Sequence, residues 1–296
     1  ESVERLLSWR ADPAAAATRP LAERLAADAG EYPDGFAGTV ALYAAAAVGS
    51  PGTIGALLDG GARVDARRPD GATALHVAAV FGRPHLAERL LTGGAAVDAA
   101  TLDGAGGPDA TPLHGAAYKG HAAVAEVLLA HGASVDAPRW SPLHSAADNG
   151  HSAVIGVLLA HRAAVDSATD HGATSLHLAA ESGHAGAAEF LLAHRAAVDA
   201  TTADSHTPLH LAASHGHPAL AEVLLAHRAS VDVADTDGQT PLELASENGH
   251  TGVARVLGAH GAELEFGGEA EEQAEEKEED EEEEEEQQSQ VEGGEE

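Results

Sequence analysis

Histidine is the side chain here best suited to chemistry near neutral pH, as metal ligand or proton carrier, and the chain has 19 in 296 residues. Their spacing decides between those roles. Fifteen fall in three sets that recur along the chain. His76, His114, His144, His177 and His210 each follow a leucine; His121, His151, His184, His217 and His250 each follow a glycine. The third set, His131, His161, His194, His227 and His260, closes an apolar run. A metal site needs ligands converging in one small sphere, whereas equivalent residues on successively packed helices stand about 10 Å apart. The first two sets therefore read as turn and interface residues, and no metal site is expected.

Other catalytic constellations are missing from the sequence. It holds no GxSxG, HExxH or GxxxxGK pattern, and no cysteine, which removes disulfides, thiolate zinc sites and a cysteine nucleophile. Gly104, Gly106 and Gly107 do not form a dinucleotide fingerprint, because their surroundings read as a hairpin rather than a strand-to-helix turn. The expectation is a chain without catalytic residues or cofactor, and not an enzyme.

The elements that carry these histidines are set by a second periodicity. One leucine recurs at 42, 75, 113, 143, 176, 209 and 242, with steps of 33, 38, 30, 33, 33 and 33 residues. Fifteen positions after each stands another, at 57, 90, 128, 158, 191, 224 and 257, so length changes are confined to the connecting turns. Residues 203–236 show the unit clearly. Thr207 is suited to cap a helix with Pro208 in its first turn, Gly216 ends it, and a second helix starts at Pro218 with Leu220, Val223 and Leu224 on one face. Two helices this short leave an apolar stripe uncovered unless the next pair stacks on it. Aromatics make up only 3% of residues, which suits a thin core spread along such a stack.

On these motifs the chain resembles the ankyrin-repeat family. The carriers are TALHVAA at 73–79, TPLHGAA at 111–117, SPLHSAA at 141–147, TSLHLAA at 174–180 and TPLHLAA at 207–213, with a Gly-His pair recurring between the helices of the units. The resemblance implies an all-α solenoid of helix-turn-helix units with projecting β-hairpin turns. Seven repeats are expected over 38–265, bounded as 38–69, 70–102, 103–138, 139–169, 170–202, 203–236 and 237–265. Residues 1–37 read as a partial repeat and an irregular connection, and the absence of an initiating methionine as a sign that the natural boundaries lie further out. Glu243 and Gly258 replace the usual histidine and leucine, as a terminal cap requires. The family usually has glycine where Arg162, Arg195 and Arg228 follow the third histidine set. These arginines either sit in a solvated helix end or form a basic ridge on an acidic body, and they strain a turn that favours a left-handed backbone.

In the resembled family, partners bind at hairpin tips and at the exposed end of the first helix. Carried onto this sequence, those positions are Val80 and Phe81, Tyr118 and Lys119, Asp148 and Asn149, Glu181 and Ser182, Ser214 and His215, and Glu247 and Asn248. Arg139 and Trp140 join them from the turn before SPLH, with Trp140 expected beside Tyr118. Phe81, Tyr118 and Trp140 are the preferred anchors, since aromatic residues dominate interface energetics. They are bracketed by a hairpin five residues long in excess, around GAGGPDA at 104–110, and one three residues short.

The implied function is a protein-interaction scaffold or adaptor binding another protein. The alternatives are a targeting module of a larger polypeptide, such as a ubiquitin-ligase adaptor or enzyme subunit, and an acidic chaperone of a basic protein. The net charge is −32, and residues 266–296 hold seventeen carboxylates against Lys277. Such a chain repels phosphate backbones, so a basic protein surface is favoured over nucleic acid. Residues 269–296 are expected to be disordered and to attract either a basic partner or the His–Arg ridge. Without a signal peptide or an apolar run of membrane length, the expectation is a soluble, intracellular monomer.

Overall fold

The computed structural model describes residues 42–47, 51–68, 70–102 and 109–262. The expected partial repeat at 1–37, most of the long hairpin and the acidic tail lie outside them. The described residues form seven helix pairs. In chain order these are α1 (42–47) with α2 (Pro51–Asp59), α3 (Ala74–Val80) with α4 (Pro84–Thr92), and α5 (Pro112–Lys119) with α6 (Ala122–Ala130). Next come α7 (Pro142–Asp148) with α8 (Ser152–Ala160) and α9 (Ser175–Glu181) with α10 (Ala185–Ala193). The stack closes with α11 (Pro208–Ser214), α12 (Pro218–Ala226), α13 (Pro241–Glu247) and α14 (Thr251–Ala259).

From α3 onward each first helix packs on the next first helix, and from α2 each second helix on the next second helix, which makes two layers. The periodic leucines run through both: Leu75, Leu113, Leu143, Leu176 and Leu209 are buried in the first, and Leu90, Leu128, Leu158, Leu191, Leu224 and Leu257 in the second. The first layer also buries alanine pairs such as Ala116–Ala117 and Ala179–Ala180. Interaxial distance follows side-chain size, so the alanine-rich layer packs more closely, which favours curvature with the first helices inside. The expected β-hairpin turns form almost no ladder. Among the described residues the only bridge is Ala168 with Thr174.

The leucine-following histidines are the bolts of the stack. In each of the five, the main-chain N–H of the capping residue donates to Nδ1, as from Thr174 to His177 at 3.1 Å. That fixes the proton on Nε2, which donates to a carbonyl of the following turn: Ala110, Trp140, Ser167, His206 and Gln239 in order, at 2.9–3.2 Å. Burial pushes all five imidazoles below the ordinary histidine range. In the first repeat Tyr43 stands in this position and reaches forward to the carbonyls of Ala66 and Ala72 at 2.7 and 2.8 Å. Burial raises its pKa to about 12. In the last repeat Glu243 accepts from both the N–H and hydroxyl of Thr240, closing the cap without a forward bond among the described residues.

The glycine-following histidines hold the opposite ends of the first helices. His121, His151, His217 and His250 donate through Nε2 to the carbonyls of Val80, Tyr118, Glu181 and Ser214 in the repeat before. Each ring lies flat against that repeat's glycine: a Cβ at Gly82, Gly120, Gly150, Gly183 or Gly216 would come within 2.5–2.6 Å of the next imidazole. These glycines are also left-handed, with φ of 63–75°, 77° at Gly120. The sequence therefore needs glycine twice over at this corner. A further lattice links the turns, where Asp65, Asp98, Asp136, Asp166 and Asp199 accept the main-chain N–H of Ala96, Ser134, Ala164, Ala197 and Ser230.

Candidate functional site

Subtracting these frameworks leaves a file of side chains at the carboxyl ends of the first helices. Phe81 caps α3 and is 47% exposed; Val80 before it is 37% exposed. Tyr118 and Lys119 end α5, and the Lys119 ammonium stands 4.8 Å from the centre of the Tyr118 ring, a cation–π contact that leaves the ring 37% exposed. The neighbouring repeats place Asp148, Glu181, Ser214 and Glu247 at the same helix ends, with Asn149, Ser182, His215 and Asn248 as caps.

These polar residues are tied to different degrees. Asn149 and Asn248 donate back to the carbonyls of Ser145 and Leu244 in their own helices. Ser182 donates to Asp148 at 3.2 Å, and Glu247 accepts from Gln239 at 2.8 Å. His215 donates to the carbonyl of Leu211 and stacks on His217 at 6.4 Å between ring centres. The Ser214 carbonyl is taken by His250, which makes its main chain part of the framework. Glu181 is exposed.

Trp140 departs from expectation. Its carbonyl sits at the first turn of α5, bonded to His114, and its indole N–H donates to Ser145 at 2.8 Å with the ring tilted over His144. Tyr118 lies four residues beyond His114, roughly one helical turn or 6 Å along the axis. Trp140 thus lies one turn short of Tyr118 rather than beside it, half-buried over its own repeat. Arg139, left-handed at φ 68°, is drawn to Asp170 at 3.4 Å, with both side chains largely in water.

Sequence reasoning missed Leu102, which is 66% exposed next to the long hairpin. Its N–H is fixed on the Asp70 carbonyl, which aims the side chain outward, a detail no spacing reveals. Of the five large apolar residues exposed among the described residues, Val80, Phe81, Leu102 and Tyr118 belong to the second and third repeats, with only Phe190 elsewhere. Among the described residues no three histidine or carboxylate side chains converge as a metal would need. No described helix is long and apolar enough to cross a membrane.

The profile of the family described as "Ankyrin repeats (3 copies)" matches residues 41–139, 113–204 and 176–266. The chain belongs to the ankyrin-repeat family. No curated protein gives a significant match. Among solved structures it is similar to the ankyrin repeat domain of human ASB11, with 29% identity over 75% of this chain and 98% of that one and a TM-score of 0.68. Ankyrin repeats are in general protein–protein interaction modules, and the fold is typically a non-catalytic binding scaffold. Solved chains that match this structure number 562, so the fold alone does not choose a partner.

Proposed function

We propose that this ankyrin stack is an adaptor whose protein partner lies across the first-helix ends of the second, third and fourth repeats, anchored by Phe81 and Tyr118. One observation carries the reading: three exposed apolar side chains, Val80, Phe81 and Tyr118, stand at adjacent first-helix ends, with Leu102 exposed at the hairpin of the same two repeats, in a protein whose later repeats present polar ends. Burying such rings centrally while Lys119, Arg139, Asp148 and Asn149 supply contacts around them is the usual anatomy of an interface. The later ends at Glu181, Ser182, Ser214, His215, Glu247 and Asn248 extend the footprint with polar and acidic groups, which suits a partner with basic residues on that side.

The test is to isolate binding proteins with the wild-type chain and titrate the one that recurs against variants. Tyr118→Ala is expected to weaken the complex by about 2 kcal/mol, roughly thirtyfold, while shifting the melting temperature little, because the ring is partly exposed and its cation–π partner is the neighbouring Lys119. Trp140→Ala does not give the same separation, since it also strips Ser145 of its donor. Leu128→Ala serves as the framework control. If Tyr118→Ala binds like wild type, the partner does not sit on this face.

A further inference from the structure

The turn after each second helix uses one backbone pattern seven times. Its left-handed residue is glycine at 61, 94, 132 and 261, with φ of 84–94°, and arginine at 162, 195 and 228, with φ of 66–68°. An ordinary side chain is disfavoured there relative to glycine. Three consecutive repeats bear that strain, always for a guanidinium. All three arginines are exposed, and none forms an ion pair among the described residues. The carboxylates placed beside these turns, Asp136, Asp166 and Asp199, are turned to the amides of Ala164, Ala197 and Ser230 and stop short of the guanidinium groups. The result is a file of free cations along one edge of an acidic protein.

The step from 162 to 195 to 228 is 33 residues, and one more step lands on Gly261, the same turn of the last repeat. The chain therefore leaves the stack on the line of the arginines. Beyond that point lies the most acidic sequence in the protein, with Glu281–Glu286 as an unbroken run.

We propose that residues 269–286 of the same chain dock back along Arg228, Arg195 and Arg162. Charge complementarity selects this occupant, and its length suffices. Repeats spaced roughly 10 Å apart put Arg162 about 30 Å from Gly261, and roughly two dozen residues, the length from Ala262 to Glu286, suffice to span about 25–30 Å even at random-coil dimensions. Each exposed pair is weak, but tethering supplies carboxylates at an effective concentration in the mM range, which makes several weak pairs add. The seated segment covers the cationic edge and leaves the first-helix face free, so this contact is independent of the partner site.

The protein has no cysteine, so Ser289→Cys gives a single position for a nitroxide label on the full chain. At low ionic strength the label is expected to broaden the backbone amide signals around Arg162, Arg195 and Arg228. The broadening should vanish at about 1 M salt, where the screening length falls to about 3 Å. It should also vanish in a variant carrying Arg162→Gly, Arg195→Gly and Arg228→Gly, in which each turn keeps its backbone. The proposal is overturned by no broadening at low salt, or by equal broadening in the triple glycine variant. Equal broadening when label and isotope are on different molecules overturns it too, since the segment then docks on a second copy.

Discussion

The two ends of the first helices obey opposite rules. At the amino end the middle repeats share one bond set: a cap residue bonded to a histidine that bonds to the next turn, so that Thr73–His76, Ser141–His144 and Thr207–His210 are interchangeable. At the carboxyl end the side chain changes from Val80–Phe81 to Tyr118–Lys119, Asp148–Asn149 and Glu181–Ser182, while the main chain of Val80, Tyr118 and Glu181 is still clamped by the next histidine. Both rules meet within one residue. The Tyr118 carbonyl belongs to the framework and the Tyr118 ring to the surface. The framework bond therefore uses the main chain and does not depend on which side chain stands there.

The largest effect is expected at the glycine corner shared by the repeats. Gly183→Ala places a Cβ 2.6 Å from the His217 ring on a backbone at φ 74°, whereas Gly249→Ala meets nothing within 4 Å at φ 72°. The first is expected to lose about 3 kcal/mol by combining backbone strain with displacement of an interface ring, the second only about 1 kcal/mol. Equal losses in chemical denaturation would mean that the histidine is a passenger on the glycine turn rather than its reason.

Acid acts on the amino end. His76, His114, His144, His177 and His210 are all held below the ordinary histidine range, chiefly by burial. The unfolded chain takes up protons near pH 6.5 while the folded one does not, so their contribution is complete above that pH. It declines as the pH falls below it toward the folded-state values. Melting temperature should therefore drop between pH 7 and pH 5, and replacing His144 and His177 with glutamine should flatten the drop. An unchanged slope in the double variant would place the acid sensitivity elsewhere.

Most of this framework was legible because it is a matter of period. Leu113 and Leu128, the Gly-His pairs and the cap at Thr207 all announce themselves by recurrence, and the structure places them as interface residues. What escaped was substitution within a register. Tyr43 does the histidine's work in the first repeat with a longer side chain, and its only sequence signal is its place 33 residues before His76. The Asp65–Asp199 series was visible as a repeating VD pair, yet its bond to the following turn depends on how successive turns nest. Trp140 shows the limit at the site itself. Spacing fixes where its main chain enters, but the indole direction is set by an available acceptor at Ser145, which is tertiary information.

The smallest effect tests whether the left-handed arginines belong to the framework or to the surface. Gly132 and Arg195 occupy the same turn of different repeats, at φ 84° and 67°, and a Cβ at Gly132 would meet nothing within 4 Å. Space is thus equal, and only backbone preference differs. Arg195→Gly is expected to stabilise the fold by up to about 1 kcal/mol, and Gly132→Arg to destabilise it by a similar amount. Salt sharpens the reading. If the acidic segment seats on Arg195, part of the gain from Arg195→Gly is offset at low ionic strength by a lost attraction and returns in full when salt screens it. A thermal melt series in which Arg195→Gly destabilises at every salt concentration would instead put the arginine among the residues that build the stack, on the same footing as His177.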